Sequence, residues 1–225
     1  MRDHLSDSTK PILIETPEGL TLQKGELSLC ADLRSMIPRI RGEMWRHEPL
    51  AKAASLKGLR PPMLAVDATA GLGEDALILA AIGYHVILFE QDPQIHALLE
   101  DALRRAAADP ILAEPVARME LRKGDSTLAL PVLSEKPDLV YLDPMFPARQ
   151  KSGLIKKKFQ LLQLLEAPCA DEEALLNAAF AAGPRRIVIK RPAKGPFLAQ
   201  KKPEFTYSGS SIRYDCFSVR ISNPS

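Results

Sequence analysis

Short apolar runs alternate with segments of helical spacing through the middle of the chain, and this alternation restricts the fold more than any other sequence feature. The apolar runs of strand length cover 64–69, 86–89, 119–122, 139–142 and 186–190. The segments with helical spacing cover 74–82, 93–107, 156–165 and 171–182. Because strands joined by crossover helices form parallel sheets with helices on both faces, the sequence predicts an α/β fold with a mainly parallel sheet. Two further strand-like runs, 204–207 and 212–219, have no helix between them and predict an antiparallel hairpin at one edge.

The first part of the chain lies outside this alternation. Residues 12–14 and 20–22 predict a small hairpin, and residues 45–56 predict a helix that leads into the first core strand. We therefore predict an N-terminal extension over residues 1–60 and a main domain over residues 61–225.

Composition excludes several classes of protein. The chain has 225 residues, of which 46% are hydrophobic and 26% are charged, as in ordinary globular proteins. No apolar run approaches the roughly 18–20 residues of a membrane helix, and no apolar signal segment follows Met1. The three cysteines, Cys30, Cys169 and Cys216, are far apart and lack metal-binding spacing. We therefore expect a cytoplasmic protein with reduced thiols, no membrane segment and no bound metal.

Polar residues follow three of the predicted strands, at the sheet edge where ligands of such folds bind. Asp67 precedes a turn that contains Gly71 and Gly73, whose missing side chains let a ligand approach the backbone. Glu90 ends the second strand, where a carboxylate can accept hydrogen bonds from both hydroxyls of a ribose. The dipeptide Asp125-Ser126 follows the third strand, where it could hold an adenine amino group. Together these residues predict a nucleoside-cofactor site, although glycine in such turns can also serve packing alone.

The charge of the glycine turn distinguishes between two cofactor classes. Glu74 and Asp75 follow the turn directly, and Ala76 stands at the third glycine of the dinucleotide-binding fingerprint, where alanine is tolerated. Two carboxylates would repel a pyrophosphate and attract the ammonium and sulfonium charges of S-adenosylmethionine (SAM). The turn therefore favours a methyl donor over NAD.

The tetrapeptide after the fourth strand has the chemistry of an enzyme that methylates an amine. The exocyclic amine of a base is a weak nucleophile because its lone pair is delocalised into the ring. The Asp143 carboxylate can accept one N–H, and a backbone carbonyl of the turn at Pro144 can accept the other. Phe146 can stack on a base that is flipped out of its helix. The alternative is a strand-end turn in which Asp-Pro and a core phenylalanine have no catalytic role.

Basic residues cluster in segments with few acidic residues, although the net charge is only +2. Such clusters hold the phosphates of RNA if they converge in space, but most remain solvated surface. If they converge, the N-terminal extension contributes to an RNA-binding surface. The residues expected to contact RNA are Arg39, Arg41, Arg46, Arg149, Lys151, Lys156, Lys157, Lys190 and Arg191.

Three motifs together resemble a known family. They are Val66-Asp-Ala-Thr-Ala-Gly-Leu-Gly-Glu-Asp75, Tyr141-Leu-Asp-Pro-Met-Phe-Pro147 with Gln150-Lys-Ser152, and Val188-Ile-Lys-Arg-Pro192. The Asp-Pro-Met-Phe string is similar to the catalytic motif of class I SAM-dependent amino-methyltransferases. Within that class, the three motifs are similar to the ribosomal RNA small subunit methyltransferase J family over residues 40–220.

The resemblance implies a fold, a cofactor and a reaction. The fold would be a Rossmann-like, seven-stranded sheet with a reversed last strand, and the cofactor would be SAM. The reaction would be methylation of guanine N2 in bacterial 16S rRNA, at guanosine 1516, with the rRNA or the small ribosomal subunit as partner. Glu74 and Gln91 stand where the family is expected to have arginine. The implied cofactor contacts are Glu74, Asp75, Glu90, Gln91, Asp125, Ser126 and Asp143.

Three alternatives remain open from the sequence. The same catalytic motif serves enzymes that methylate adenine N6 or a protein glutamine. The glycine turn would also suit an NAD(P)-dependent oxidoreductase. A degenerate methyltransferase core would make the chain a non-catalytic RNA-binding module, although the intact Asp-Pro-Met-Phe string argues against it.

Overall fold

The computed structural model describes residues 10–58, 61–144, 161 and 171–219. The strands are β1 (Ile12–Thr16), β2 (Gly19–Lys24), β3 (Leu27–Cys30), β4 (Met63–Asp67), β5 (Tyr84–Glu90), β6 (Met119–Lys123), β7 (Leu139–Leu142), β8 (Arg186–Pro192), β9 (Phe205–Ser208) and β10 (Ile212–Ser218). The helices with described bounds are α1 (Ile37–Ile40), α2 (Pro49–Ala54), α3 (Glu74–Ile82), α4 (Pro93–Ala106), α5 (Ala113–Val116), α6 (Ser126–Ala129) and α7 (Glu172–Ala181). Short 3-10 segments lie at Leu33–Met36, Arg41–His47, Leu130–Val132 and Leu198–Gln200.

Seven strands form one sheet in the order β6-β5-β4-β7-β8-β10-β9. The strands from β6 through β8 are parallel to their neighbours, whereas β10 is antiparallel to both β8 and β9. The loop between β9 and β10 is too short for a crossover, so the chain can only return antiparallel. The predicted α/β fold, with its mainly parallel seven-stranded sheet and its C-terminal antiparallel hairpin, is confirmed.

Two apolar layers cover the two faces of this sheet, because successive residues of a strand point to opposite sides. Ala65 and Val188 pack on one face with α2, α3 and α4, whereas Val66 and Ile187 pack on the other face with α7. Residues 76–80 of α3 are all fully buried. A helix that is apolar all round needs cover on both sides. The outer cover of α3 comes from the N-terminal residues, which contact it through α1 and the two flanking 3-10 segments.

The N-terminal residues form a three-stranded antiparallel sheet, β1-β2-β3, rather than the predicted two-stranded hairpin. The third strand was missed because it has only four residues, too few for its apolar alternation to stand out. The Leu20 backbone N–H donates to the Asp101 carboxylate of α4 at 3.0 Å, and Leu22 lies in the same apolar core as α3 and α4. A continuous core therefore crosses the predicted boundary at residue 60.

The helix predicted over 45–56 is divided in the structure. Its α-helical part, α2, begins at Pro49, whose fixed φ and missing N–H suit the first turn of a helix. The preceding segment is a kinked 3-10 stretch in which Gly42 and Glu43 have φ of +59° and +62°. The helix predicted over 156–165 lies outside the described residues except for Leu161. Within the described ranges, the helices are too short or too polar to cross a membrane.

Candidate active site at the carboxyl edge of the sheet

The strand order reverses between β4 and β7. The chain leaves β4 toward β5 on one side and returns through β7 on the other side. The Ala68 backbone N–H donates to the Tyr141 carbonyl at 3.0 Å, which holds the carboxyl ends of the two strands together. Asp67 ends β4 and Asp143 directly follows β7, so two predicted site carboxylates flank the reversal. Ligands of open α/β sheets bind in the crevice at this point.

The glycine turn after β4 is tied to the end of β5. Gly71 and Gly73 have φ of +53° and +76°, in the left-handed region that favours glycine. The Gly71 N–H donates to Glu90 Oε2 at 3.0 Å, and the Asp92 N–H donates to Glu90 Oε1 at 2.8 Å. Burial raises the pKa of Glu90, and the backbone N–H groups oppose that rise. Because a carboxylate has about four acceptor sites, Glu90 keeps capacity for the hydroxyls of a ribose.

Asp67 is the most deeply buried acid of this edge. Its side chain lies beneath the turn, and its Oδ1 accepts a hydrogen bond from the Thr69 N–H at 3.0 Å. Burial raises the pKa of Asp67 to about 8, and the nearby Asp75 and Asp143 carboxylates add to the rise. At neutral pH its carboxyl is therefore mostly protonated, and a cation bound nearby would favour ionisation.

One lysine joins two carboxylates at the centre of this edge. Lys190 Nζ, from β8, donates to Asp75 Oδ2 and to Asp143 Oδ2, each at 2.7 Å. The Tyr141 hydroxyl donates to Asp75 Oδ2 at 2.6 Å, and the Asp143 N–H donates to Thr69 Oγ1 at 2.6 Å. We call these five residues, Thr69, Asp75, Tyr141, Asp143 and Lys190, the Lys190 cluster.

Burial and charge pairing together set the ionisation of the Lys190 cluster. Burial raises the pKa of Asp143, and the Lys190 ammonium opposes that rise. Burial alone would lower the pKa of Lys190, but the Asp75 and Asp143 carboxylates outweigh it and shift this pKa upward. Burial also raises the pKa of Tyr141, so its hydroxyl remains a proton donor to Asp75. The result is one ammonium shared by two carboxylates.

The polar pair after β6 lies next to the end of β5, where Glu90 stands. The Gly124 N–H donates to the Glu90 carbonyl at 3.0 Å. Asp125 is exposed and caps α6, since its Oδ1 accepts from the Thr127 N–H at 2.8 Å and from the Thr127 hydroxyl at 2.7 Å. Ser126 is buried beside it.

Comparison with known proteins decides the family. The SAM_MT family model, which describes SAM-dependent methyltransferases, matches residues 3–219. The chain is 45% identical over 173 residues to ribosomal RNA small subunit methyltransferase J of Aeromonas hydrophila, over 76% of this chain and 69% of that protein. It is 44% identical over 212 residues to the protein of that name from Aeromonas salmonicida, over 91% of this chain and 85% of that protein. The chain belongs to the SAM-dependent methyltransferase family.

A solved structure supports the same assignment for this methyltransferase. The crystal structure of a SAM-dependent methyltransferase from Neisseria gonorrhoeae matches with a TM-score of 0.73 and 29% identity, covering 99% of this chain and 88% of that one. SAM is therefore the cofactor, which confirms the prediction of a methyl donor over NAD.

The charge of the crevice fits SAM. Three carboxylates, from Asp75, Glu90 and Asp143, meet at this edge beside the mostly protonated Asp67, and the Lys190 ammonium lies among them. Negative surroundings of this kind suit a ligand with sulfonium and ammonium charges. They would oppose a pyrophosphate, which NAD would bring to the same turn.

The methyltransferase would hold its cofactor with the predicted residues. Glu90 has the acceptor capacity for the ribose, and Asp125 with Ser126 lies where the adenine would be. The methionine end would lie along the glycine turn and the first turn of α3, where Glu74 is half-buried. Gln91 is exposed immediately beyond Glu90. The full proposed set is Asp67, Gly71, Gly73, Glu74, Asp75, Glu90, Gln91, Asp125, Ser126 and Asp143.

Arg39 of the N-terminal residues lies within electrostatic reach of the site. Its guanidinium donates to both oxygens of Glu48, at 2.8 and 2.6 Å, and its side chain remains 39% exposed. The Glu48 carboxylate raises the pKa of Arg39, and Asp75 of the Lys190 cluster adds a smaller contribution. The N-terminal extension therefore brings a partly exposed cation within electrostatic reach of Asp75.

Arg41 and Arg46 are exposed on the same N-terminal segment. The Arg46 guanidinium pairs with Glu43 at 2.9 Å and lies 5.1 Å from the centre of the Trp45 ring. Solvent-exposed ion pairs of this kind are weak, so the Arg46 guanidinium remains available to a phosphate.

Lys190 and Arg191 were both predicted to contact RNA, but they point to opposite faces of the sheet because they are neighbours in β8. Arg191 is only 1% exposed, and its guanidinium donates to the Pro196 carbonyl at 2.9 Å and pairs with Glu172 at 3.3 Å. Lys190 points into the Lys190 cluster. The prediction that Arg191 contacts RNA is therefore wrong, because its side chain is buried, whereas Lys190 is held by two carboxylates.

Two residues of the Lys190 cluster, Thr69 and Tyr141, were not among the predicted site residues. Tyr141 could have been predicted from the sequence, because the hydroxyl of a tyrosine within a fully buried strand needs a hydrogen-bond partner.

Pro144 is buried directly after Asp143. The predicted residues outside the described ranges are Phe146, Arg149, Lys151, Lys156 and Lys157. Across the described part of the chain, no group of three or more His, Cys, Asp or Glu residues is arranged to hold a metal ion.

Proposed function

We propose that the chain transfers the methyl group of SAM to the exocyclic N2 amine of a guanosine in 16S rRNA, at guanosine 1516 by family resemblance. The placement of Asp143 carries this proposal. Its carboxylate follows β7 at the mouth of the cofactor crevice, is fixed on one side by Lys190, and is 35% exposed. An acceptor that is both anchored and accessible suits an amine that enters from solvent.

Asp143 would activate the amine through hydrogen bonding. When bound, SAM supplies an electrophilic methyl group on a sulfonium sulfur. The Asp143 carboxylate accepts one N–H, directs the nitrogen lone pair, and stabilises the positive charge that develops on nitrogen. The backbone carbonyl at Pro144 accepts the second N–H, and Phe146 stacks on the base. The nitrogen finally releases a proton to the carboxylate or to water.

Two observations support rRNA as the substrate. The relatives from both Aeromonas species are named ribosomal RNA small subunit methyltransferase J. In addition, Arg39, Arg41 and Arg46 place positive charge on the N-terminal segment, and Arg39 lies near the crevice. With Arg149, Lys151, Lys156 and Lys157 they form the proposed RNA-binding set. An rRNA substrate would place the protein in the cytoplasm.

Incubation with isotopically labelled SAM tests the reaction. The substrates are unmodified small ribosomal subunits and, separately, the rRNA extracted from them, followed by nuclease digestion and mass spectrometry of the nucleosides. We expect labelled N2-methylguanosine. Label in adenosine or in protein would assign another amine, and no label alongside measurable SAM binding would reject the rRNA target.

The substitution Asp143→Asn tests the proposed role of the carboxylate. We expect kcat to fall by about 100-fold or more, because the acceptor that faces the substrate amine loses its negative charge. Calorimetry should still detect SAM binding. Asp109→Asn is the matched control, since Asp109 lies beyond the far end of α4 and asparagine can still accept from the Ile111 and Leu112 N–H groups. Near-normal turnover of the Asp143 variant would refute the mechanism.

A further inference from the structure

Within the Lys190 cluster, no contact with the cofactor or with RNA explains what Lys190 itself does in the reaction. We propose that Lys190 is a positioning residue for methyl transfer: its ammonium ties the Asp143 carboxylate to Asp75 and so fixes the orientation of the group that receives the substrate amine. This inference rests on the proposed function, because it assigns to Lys190 the control of the amine acceptor.

The position of the ammonium is set by rigid parts of the fold. β8 lies inside the sheet between β7 and β10, and Lys190 is paired across the sheet with Tyr214, which is 1% exposed. Asp75 is held from β7 by the Tyr141 hydroxyl at 2.6 Å. Lys190 Nζ therefore lies at a point fixed by β7, β8 and α3, and its second 2.7 Å contact transmits that fixed position to Asp143.

The same geometry argues against a phosphate as the partner of Lys190. Both described contacts of its ammonium are with carboxylates, and its side chain is 25% exposed. A phosphate would have to displace at least one carboxylate and would enter among acidic groups. Arg39 and the exposed Arg41 are better placed for the RNA backbone.

The Lys190 ammonium also favours the ionised form of Asp143. Without the ammonium, Asp75 and Asp143 would face each other with no cation between them, and the ionised form of Asp143 would become less favourable. The titratable and charged groups around Asp143 in the described residues come from five elements. They are Asp67 of β4, Asp75 of α3, Tyr141 of β7, Lys190 and Arg191 of β8, and Tyr214 of β10.

Kinetics of Lys190→Gln and Lys190→Arg on unmodified small subunits test the inference. We expect the glutamine variant to lose about 10- to 100-fold in kcat while KM for the subunit stays within about threefold. The acidic limb of its pH profile should move upward by about one pH unit, because an opposite charge next to Asp143 has been removed. The arginine variant keeps the charge, so its acidic limb should stay in place while kcat falls less. Lys52→Gln, on the exposed side of α2, is the matched control.

A titration of the carboxyl groups by carbon-13 NMR, without RNA, separates this inference from the proposed function. The Asp143 resonance is identified by its loss in Asp143→Asn. Its midpoint should rise in Lys190→Gln and stay in place in Lys190→Arg, whether or not the substrate is rRNA. If the wild type methylates no RNA but the Asp143 midpoint rises in Lys190→Gln, the proposed function is wrong and the electrostatic link between Lys190 and Asp143 stands.

Two results would overturn the inference. One is a glutamine variant whose KM for the subunit rises several-fold at unchanged kcat and unchanged pH profile, which is the behaviour of a phosphate contact. The other is an Asp143 titration midpoint that is the same in Lys190→Gln as in the wild type. If the glutamine variant does not fold, the arginine variant still decides, because a midpoint or acidic limb that moves by more than about half a pH unit despite the retained charge contradicts the proposal.

Discussion

Gly73 illustrates how one position in the cofactor turn is constrained twice. Its φ of +76° is costly for any residue with a side chain. In addition, a Cβ at this position would lie 2.7 Å from Cδ1 of Leu99, which is fully buried in α4. The turn can therefore pack closely against α4 only because residue 73 has no side chain.

The substitution Gly73→Ala is expected to lower the free energy of unfolding by about 2–4 kcal/mol, from backbone strain and overpacking together. Gly58→Ala is the control, because Gly58 has a nearly identical φ of +75°, yet a Cβ there would meet none of the described residues within 4 Å beyond its chain neighbours. The control should lose only about 1 kcal/mol. Urea unfolding of both variants measures the difference, and equal losses would mean that the Leu99 contact is relieved without cost.

Helix α4 is the element whose boundaries and buried face follow most directly from its residues. Asp92 caps it by accepting from the Gln94 and Ile95 N–H groups at 2.8 and 3.0 Å, and Pro93 occupies its first turn. Its buried residues follow helical spacing, so one stripe faces the sheet and the N-terminal strands. The cap also fixes the backbone directly after Glu90, whose carboxylate accepts the Asp92 N–H.

Removal of the α4 cap by Asp92→Ala should lower the free energy of unfolding by about 1 kcal/mol. For a chain of this size the melting temperature would fall by about 2–4 °C. Asp92→Asn should remain close to the wild type, because an asparagine oxygen caps about as well. Calorimetric melting of the three proteins makes the comparison, and a loss shared by both variants would point to the charge of Asp92 instead of its cap.

In the described residues, one group of acidic side chains and one group of exposed arginines lie in different parts of the molecule. Acidic side chains from β4, α3, β5 and the end of β7 meet at the cofactor edge, whereas the N-terminal segment carries the exposed arginines. Under the proposed function, this arrangement would place the cationic cofactor beside the surface that takes the anionic RNA. The most buried acid, Asp67, also links this edge to the stability of the whole fold, because its raised pKa belongs only to the folded state.

This linkage predicts how stability depends on pH. Between about pH 4 and pH 8, folded Asp67 holds a proton that the unfolded chain has released, so the contribution of Asp67 to the free energy of unfolding falls as pH rises through that range. Relative to Asp67→Asn, the wild type should lose up to about 1.4 kcal/mol per pH unit. Urea unfolding of both proteins without SAM, between about pH 5 and pH 8, gives the two slopes. Parallel slopes would show that the pKa of Asp67 is not raised.

Local periodicity was enough to predict most of the regular structure. The core strands, α3, α4, α7 and the C-terminal hairpin all follow patterns that repeat within a few residues. The errors came where local signals were short or mixed, as in the four residues of β3 and in the stretch before Pro49. The polar residues at the strand ends were also predictable, because parallel strands bring their carboxyl ends to one edge.

The contacts within the site depended on the tertiary structure. Tyr141 and Asp75 are 66 positions apart, and Lys190 and Asp75 are 115 positions apart, yet each pair is in hydrogen-bond contact. Such pairs follow from the order of strands in the sheet and from the face to which each side chain points. Neither is encoded in a window of a few residues, since strand order results from packing of the whole core. The sequence therefore determined which chemical groups reach the sheet edge, whereas the assembled sheet decided that Lys190 contacts Asp75 and Asp143 and that Arg191 lies in the interior.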